Sequence, residues 1–260
     1  TDQKAVYSLK KYQKNGSRWD SPEDYSSKIK DLTAKTKVCL LFEDESVYWT
    51  YSGFRERIER VLQLTIPPVE ERPASQLLPW YQPPNKPPYP FQVLAMKALL
   101  EVGHGAVSIA TGLGKTLCLT LIIKELGLKT VVMTPSTSIS EQIYRDFIKL
   151  FGKKYVGKYF DGKKETGKLI TVANAQSLTR IAENSPTWKA FENTQVFIAD
   201  ESHQCPAQTL ASVCFGVLST APYRFFFSAT QLRNDGSDLL LEAITGPIVY
   251  RMTVKEGVDG

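Results

Sequence analysis

One stretch limits the folds open to this chain more than any other: Ser108-Ile109-Ala110-Thr111-Gly112-Leu113-Gly114-Lys115-Thr116. Apolar Ala106–Ala110 predicts a short strand, and Lys115–Leu126 predicts a helix with Gly127 as its C-cap, so the run sits in a strand–loop–helix joint. Glycines let the backbone turn tightly and aim its N–H groups at an anion, and the helix N-terminus adds a favourable dipole. At this spacing Lys115 would reach the β- and γ-phosphates of a nucleoside triphosphate, and the Thr116 hydroxyl would ligate Mg²⁺. Thr111, Gly112, Leu113, Gly114, Lys115 and Thr116 are the expected ATP-binding residues. The strict pattern starts with glycine where this chain has Ile109. The competing reading is a glycine-rich turn with an exposed lysine.

The surroundings fit such a joint. From Phe91 onward, predicted helices (Gln92–Leu100, Ile139–Leu150, a helix from Ala175, Pro206–Leu218, Leu239–Thr245) alternate with strands. The strands are Thr130–Thr134, Leu169–Ala173, Val196–Ala199, Arg224–Ser228 and Ile248–Arg251. They are continuously apolar rather than alternating, which predicts burial on both faces and hence an α/β fold with a parallel sheet under helices. Residues 1–66 differ. They open polar and lysine-rich, then carry two β-rich runs around Glu43-Asp44-Glu45, which suggests a hairpin, and a helical stretch Gly53–Leu64. This block reads as a small α+β accessory domain. Nine prolines between positions 67 and 90 exclude a regular helix or central strand there, so residues 67–88 read as a proline-rich linker. Residues 89–260 form the third unit.

With 260 residues, 42% of them hydrophobic, the chain holds enough apolar material for a core. No window approaches the roughly 20 apolar residues needed to cross a bilayer, and the first residues lack the apolar centre of a signal peptide. A cytoplasmic protein without membrane partners is the expectation. Cys39, Cys118, Cys205 and Cys214 form no CxxC pair and only two histidines occur, so a zinc site is not expected and the thiols read as reduced and mostly buried. The net charge of +5 permits a nucleic-acid partner without demanding one.

The second feature is Val196-Phe197-Ile198-Ala199-Asp200-Glu201-Ser202-His203, 85 positions beyond the loop lysine (200 minus 115). An apolar strand of this kind delivers its acids to the carboxyl edge of a parallel sheet, where ligands bind in open α/β folds. Asp200 would hold Mg²⁺ directly or through water, Glu201 would orient and polarise an attacking water, and His203 would bond the γ-phosphate or link this loop to the next motif. Lys115, Asp200, Glu201 and His203 are the catalytic candidates, with Thr116 and Asp200 as metal ligands. A third feature is open to two readings. Six lysines between Lys153 and Lys168 interleave with Tyr155, Tyr159 and Phe160, which fits a nucleic-acid surface or a solvated hairpin turning at Asp161-Gly162.

With both boxes placed, the chain resembles superfamily 2 helicases of the DExH type, over roughly residues 89–260. Tyr89-Pro90-Phe91-Gln92 looks like the entry motif, whose glutamine reads adenine. Thr134-Pro135-Ser136 resembles motif Ia, Thr171–Leu178 motif Ib, and Ser228-Ala229-Thr230 motif III. Arg233-Asn234-Asp235-Gly236 looks like an element of the restriction-helicase branch, which includes type III restriction Res subunits and UvsW-type phage helicases.

The resemblance implies a RecA-like P-loop NTPase domain using ATP and Mg²⁺, and an ATP-dependent helicase or translocase acting on nucleic acid, DNA before RNA. Gln92 would join the ATP site. Thr134, Pro135, Ser136, Gln176, Ser177 and Arg180 would hold a strand backbone without sequence specificity, and Ser228, Ala229 and Thr230 would couple the two sites. Ordinary helix capping competes for the backbone-holding residues. The family has a second RecA-like domain that supplies an arginine finger. This chain reaches Gly260 with no such domain, so the expectation is an N-terminal motor fragment, weak or inactive alone, that relies on a second domain in cis or on a partner chain. An RNA helicase, a nucleotide-gated binding module without motor activity and a P-loop kinase are the alternatives.

Overall fold

Strands that lack alternation must be buried on both faces, and the computed structural model shows how. It describes residues 41–44, 47–50, 54, 59, 63, 73–74, 87–229 and 238–253. By their contacts the residues divide into two units, Thr1–Thr50 and Tyr51–Gly260. In the first, β1 (Leu41–Asp44) and β2 (Val47–Thr50) pair antiparallel, and Glu43 and Asp44, expected in the turn, lie within β1 opposite Tyr48 and Val47. Most of the predicted helix at Gly53–Leu64, most of the linker and most of the accessory domain lie outside the described residues.

In the second unit α1 (Pro90–Val102) leads into β3 (His104–Ile109), then α2 (Lys115–Leu126), β4 (Thr130–Thr134), α3 (Thr137–Phe151), β5 (Val156–Tyr159) and β6 (Ile170–Asn174). The short α4 (Ala175–Thr179) and α5 (Pro186–Glu192) precede β7 (Val196–Ala199). Then follow α6 (Ala207–Cys214), β8 (Tyr223–Ser228), α7 (Asp238–Thr245) and β9 (Ile248–Met252). Seven strands form one sheet in the order β5-β6-β4-β7-β8-β3-β9, each neighbouring pair parallel. The α/β fold with a parallel sheet is as the apolar strands required.

The run Phe225-Phe226-Phe227 explains why such strands show no alternation. Successive side chains point to opposite faces. Phe225 and Phe227 join a core with α1, α2 and α3, among Leu99, Ile122 and Phe147. Phe226 joins a second core with Leu210, Val213 and Ile244, under α6 and α7. Both faces are dry, so both alternating sets must be apolar.

Every strand of a parallel sheet ends on the same edge. The loop after β3, Thr134 at the end of β4, Asn174 at the end of β6, Asp200 after β7 and Ser228 at the end of β8 therefore line up along the carboxyl edge. β7 and β3 flank β8, so the acidic box and the phosphate loop are separated by one strand.

In the lysine-rich stretch two of the three interleaved aromatics are packed into the core. Val156–Tyr159 is the edge strand β5, paired to β6 alone. Tyr159 and Phe160 are buried, so they present no face for stacking on a base. Lys158 Nζ lies 2.7 Å from a Glu141 carboxylate oxygen and 4.5 Å from the Phe160 ring centre. A turn lies at Asp161 and Gly162 (φ 52° and 72°), closed by Lys163 N–H donating to Phe160 O, but among the described residues β5 pairs only with the parallel β6, so the expected hairpin is not formed.

Candidate active site

The phosphate loop is shaped by two glycines that only glycine suits. Gly112 has φ 86° and Gly114 φ 75°, a region in which a Cβ meets the backbone. A Cβ on Gly114 would also stand 2.6 Å from Gln92 Nε2. Thr111, Gly112 and Gly114 are exposed, and Thr116 is half-buried at the start of α2.

Lys115 turns inward. It is 8% exposed, its Nζ lies 2.9 Å from Glu201 Oε1, and it is 3.5 Å from Ile109 O. An ammonium so enclosed keeps its charge only with a partner, and the partner is the carboxylate expected to act with it. Glu201 itself holds a left-handed backbone (φ 47°, ψ 41°), a conformation that costs a non-glycine residue on the order of 1 kcal/mol. Its second oxygen, Oε2, is 3.4 Å from His203 Nδ1. Lys115, Glu201 and His203, read from two boxes far apart in sequence, thus form one chain of contacts.

Asp200 is buried, and its Oδ1 has no hydrogen-bond partner. Burial, then the charge of Glu201, push its carboxyl up to about 6, against the opposing pull of Lys115 and a backbone hydrogen bond. A buried carboxylate oxygen left without a donor suits a cation, the role Asp200 was expected to fill. Among the described residues no group of three His, Cys, Asp or Glu side chains gathers to hold a metal. A metal here would instead lean on Asp200, the Thr116 hydroxyl and the phosphates it accompanies.

Sequence reasoning missed two residues. Ser202 Oγ donates to Phe227 O at 3.1 Å, tying the acidic box to the end of β8 one residue before Ser228. The coupling had been assigned to Ser228, Ala229 and Thr230 alone. Ser228 and Ala229 are half-buried there, while Thr230 and Arg233–Gly236 lie outside the described residues. Asn174 caps α4 by accepting from Ser177 N–H at 2.8 Å and donates to Thr137 Oγ1 at 3.0 Å. It joins the two segments expected to hold a strand backbone. The signal was present in its place before a helix start, but the partner across 37 residues was not.

On those segments, Thr134 is buried, with its Oγ1 2.6 Å from Ser140 Oγ, and Ser136 is the N-cap of α3. Pro135 and Ser177 are half-buried, and Gln176 and Arg180 are exposed.

Gln92, which the resemblance places in the ATP site, lies against the phosphate loop. It is 1% exposed. Its Oε1 accepts from Tyr89 N–H at 2.9 Å, and its Nε2 donates to Leu113 O at 3.0 Å and Gly114 O at 3.3 Å. The amide fastens α1 to the phosphate loop, and both its hydrogens are engaged within the protein.

A family model described as type III restriction enzyme, res subunit, matches residues 85–233, more than half of the chain. The chain belongs to this family. The superfamily 2 placement drawn from the motifs holds with it. The DNA 3'-5' translocase XPB2 of Sulfurisphaera tokodaii is 29% identical over 173 residues, 64% of this chain and 36% of its own length. The probable helicase D10 of Escherichia phage T5 is 31% identical over 147 residues, 56% of this chain and 31% of its own length. This res-subunit family member thus spans about a third of the length of the curated relatives it matches. The crystal structure of the UvsW helicase from bacteriophage T4 shares the fold, with TM-score 0.68 at 16% identity over 89% of this chain and 88% of that one.

Proposed function

We propose that residues 89–260 are the first RecA-like ATPase domain of an ATP-dependent nucleic-acid helicase or translocase that acts on DNA, preceded by an accessory domain at 1–66 and a linker at 67–88. The observation that carries this reading is the 2.9 Å contact between Lys115 and Glu201 beside the partnerless Asp200 Oδ1. It gathers a phosphate-binding cation, a water-orienting carboxylate and a metal-binding carboxylate at one point of the sheet edge. The type III restriction family and the helicase and translocase names of the relatives support the same reaction class.

The chain's residues divide the work. Backbone N–H groups of Thr111–Thr116 and the N-terminus of α2 receive the phosphates. Lys115 leaves Glu201 for the phosphate oxygens, which releases the carboxylate to orient a water in line with the γ-phosphate. His203, with Nδ1 3.4 Å from Glu201 Oε2, stands beside the carboxylate and faces the γ-phosphate or the next motif. Thr116 and Asp200 hold Mg²⁺, which when bound offsets the charge developing on the phosphates. Ser202 carries a change at the acidic box to the end of β8, and from there to the strand-holding edge.

Thr134, Pro135, Ser136, Gln176, Ser177 and Arg180 contact the sugar–phosphate backbone, so binding is salt-sensitive and independent of sequence. A second RecA-like domain, in cis or on a partner chain, supplies an arginine finger worth roughly 10³–10⁵ in rate. Turnover by residues 1–260 alone is correspondingly slow. Among the described residues no helix is long and apolar enough to cross a membrane, in keeping with work in the cytoplasm, or in that of a host if the gene is a phage's.

Isothermal titration of the chain with Mg–ATP tests the site. One nucleotide binds the wild type, and Lys115→Ala, which removes the cation from the loop, abolishes binding. Equal affinity in the variant would refute the assignment of the phosphate site.

A further inference from the structure

The lysines around β5 have no part in the proposed reaction, yet most of the chain's net charge gathers there. Between positions 141 and 168 stand eight lysine or arginine side chains against four carboxylates, a net +4 where the whole chain carries +5. The acids are engaged within the protein. Glu141 pairs with Arg145 and Lys158, Asp146 with Lys149, and Asp161 lies 3.7 Å from Lys158 Nζ. Glu165 Oε2 accepts from Lys158 N–H at 3.0 Å. Lys153, Lys154, Lys163 and Lys164 are exposed and Lys168 is half-buried. Among the described residues no carboxylate stands within ion-pair distance of these five.

The backbone sets them along one flank. Lys153 and Lys154 precede β5, and Lys163 and Lys164 follow it, past the turn at Asp161 and Gly162. Glu165 N–H donates to Lys158 O at 3.0 Å, which draws the returning segment back to the outer edge of β5. Gly157 makes room for it: a Cβ there would stand 2.7 Å from Glu165 O and 3.0 Å from Lys168 Cγ. The strand and the residues at its two ends span roughly 20 Å, at about 3.3 Å per residue. The carboxyl end of this ridge adjoins the end of β6, because Tyr159 pairs with Ala173, one residue before Asn174.

A ridge of unpaired cations fits a polyanion, and its lack of aromatic faces says which kind. Proteins that hold a single strand combine cations with rings on which the bases stack. Here Tyr159 and Phe160 are buried, and Lys154 Nζ lies over the half-buried Tyr155 ring, 5.5 Å from its centre. In a duplex the bases stack on one another and the phosphates face outward. Over roughly 20 Å one strand of it presents about six phosphates.

We propose that the ridge along β5 binds the phosphates of a duplex arm that adjoins the single strand held at the ends of β4 and β6. The inference rests on the strand-binding reading of that edge. Lys153, Lys154, Lys163 and Lys164 make the contacts. They meet charge and not base edges, so the arm is held whatever its sequence.

The test titrates the 260-residue chain with two labelled DNAs, followed by fluorescence anisotropy: a short single-stranded oligomer, and the same oligomer joined to a hairpin duplex arm. Titrations at about 0.15 M salt screen charges more than about 8 Å away. The wild type binds the tailed duplex tighter than the oligomer, by about tenfold or more, and with a steeper dependence on salt, by about 1 in the log–log slope for each lysine engaged. The combined Lys153→Gln, Lys154→Gln, Lys163→Gln and Lys164→Gln variant loses both the preference and the extra slope. Its affinity for the oligomer and for Mg–ATP and its melting temperature stay as they were. Lys153→Arg, Lys154→Arg, Lys163→Arg and Lys164→Arg together keep the preference, since the charge is kept.

The proposal is overturned if the wild type does not distinguish the two DNAs, or if the preference and its slope survive the glutamine variant. It is also overturned if that variant loses oligomer and tailed duplex alike, which would make the ridge part of the strand-holding edge, or if the arginine variant loses the preference. Failure of the wild type to bind either DNA is a different result: it refutes the strand-binding reading itself, whereas loss of the arm preference alone leaves that reading standing.

Discussion

At the scale of single residues, the site is a problem of buried charge. Lys115 and Glu201 neutralise one another at 2.9 Å, but Asp200 has no such partner for Oδ1. Its carboxyl, raised from 3.8 to about 6, binds a proton in the native state at pH values where the unfolded chain has lost it. Stability therefore falls as pH rises from about 4 to 6, and stays at the lower level above that. Asp200→Asn removes the charge. It should raise stability at pH 7 by about 3 kcal/mol, a shift of about two pKa units at about 1.4 kcal/mol each, while costing metal-dependent nucleotide binding. Urea titrations should show the gain vanish near pH 4. An equal gain at both pH values would mean that desolvation of Asp200 is not its source. Lys115, Asp200 and Glu201 were legible because their spacing from a strand end fixes where they stand. Gln92 and Ser202 were not, since each acts on a main-chain carbonyl, of Leu113 or Phe227, that no residue type announces.

At the scale of elements, the two loop glycines separate backbone strain from crowding. A Cβ at Gly112 meets nothing within 4 Å, whereas one at Gly114 stands against the Gln92 amide. Gly112→Ala should cost about 1 kcal/mol from its positive φ alone. Gly114→Ala should cost more and also weaken Mg–ATP binding, because it displaces the amide that fastens the loop; thermal melts with and without nucleotide decide between them. Asn174→Ala removes both the cap of α4 and the link to Thr137. It should cost about 1 kcal/mol and lower affinity for a DNA oligomer in fluorescence anisotropy. Undiminished DNA affinity would detach this edge from strand binding. Central strands such as Thr130–Thr134 and Val196–Ala199 run as the sequence predicts, because burial on both faces keeps their interiors apolar, and the helix Lys115–Leu126 between the phosphate loop and Gly127 does so too. β5 was missed because an edge strand has one partner. Gly157 and Lys158 interrupt its apolar run, and the lysine finds its place on Glu141 and Phe160. The helix expected through Leu218 stops at Cys214, just short of Gly216, the weakest helix former after proline.

At the scale of the whole molecule, the parallel sheet lets the proposed motor place two ligands on one domain. All its strand ends face one edge, so the residues proposed for ATP beyond β3 and β7 and those proposed for a nucleic-acid strand at the ends of β4 and β6 sit side by side. Ser202 ties the acidic box to β8 between them. This arrangement was legible as a fold, since the order of apolar strands and helices dictates it. What acts on that edge rests on the proposal. A motor must use it to make ATP turnover depend on nucleic acid, whereas a nucleotide-gated binding module need not. The most direct test is the steady-state ATPase rate of the full native protein, measured with and without DNA at low and moderate salt. The rate should rise with DNA, the stimulation should weaken as salt displaces the backbone contacts, and Glu201→Gln should abolish turnover while nucleotide binding persists. A rate unchanged by nucleic acid, or a Glu201→Gln variant as fast as the wild type, would contradict the account.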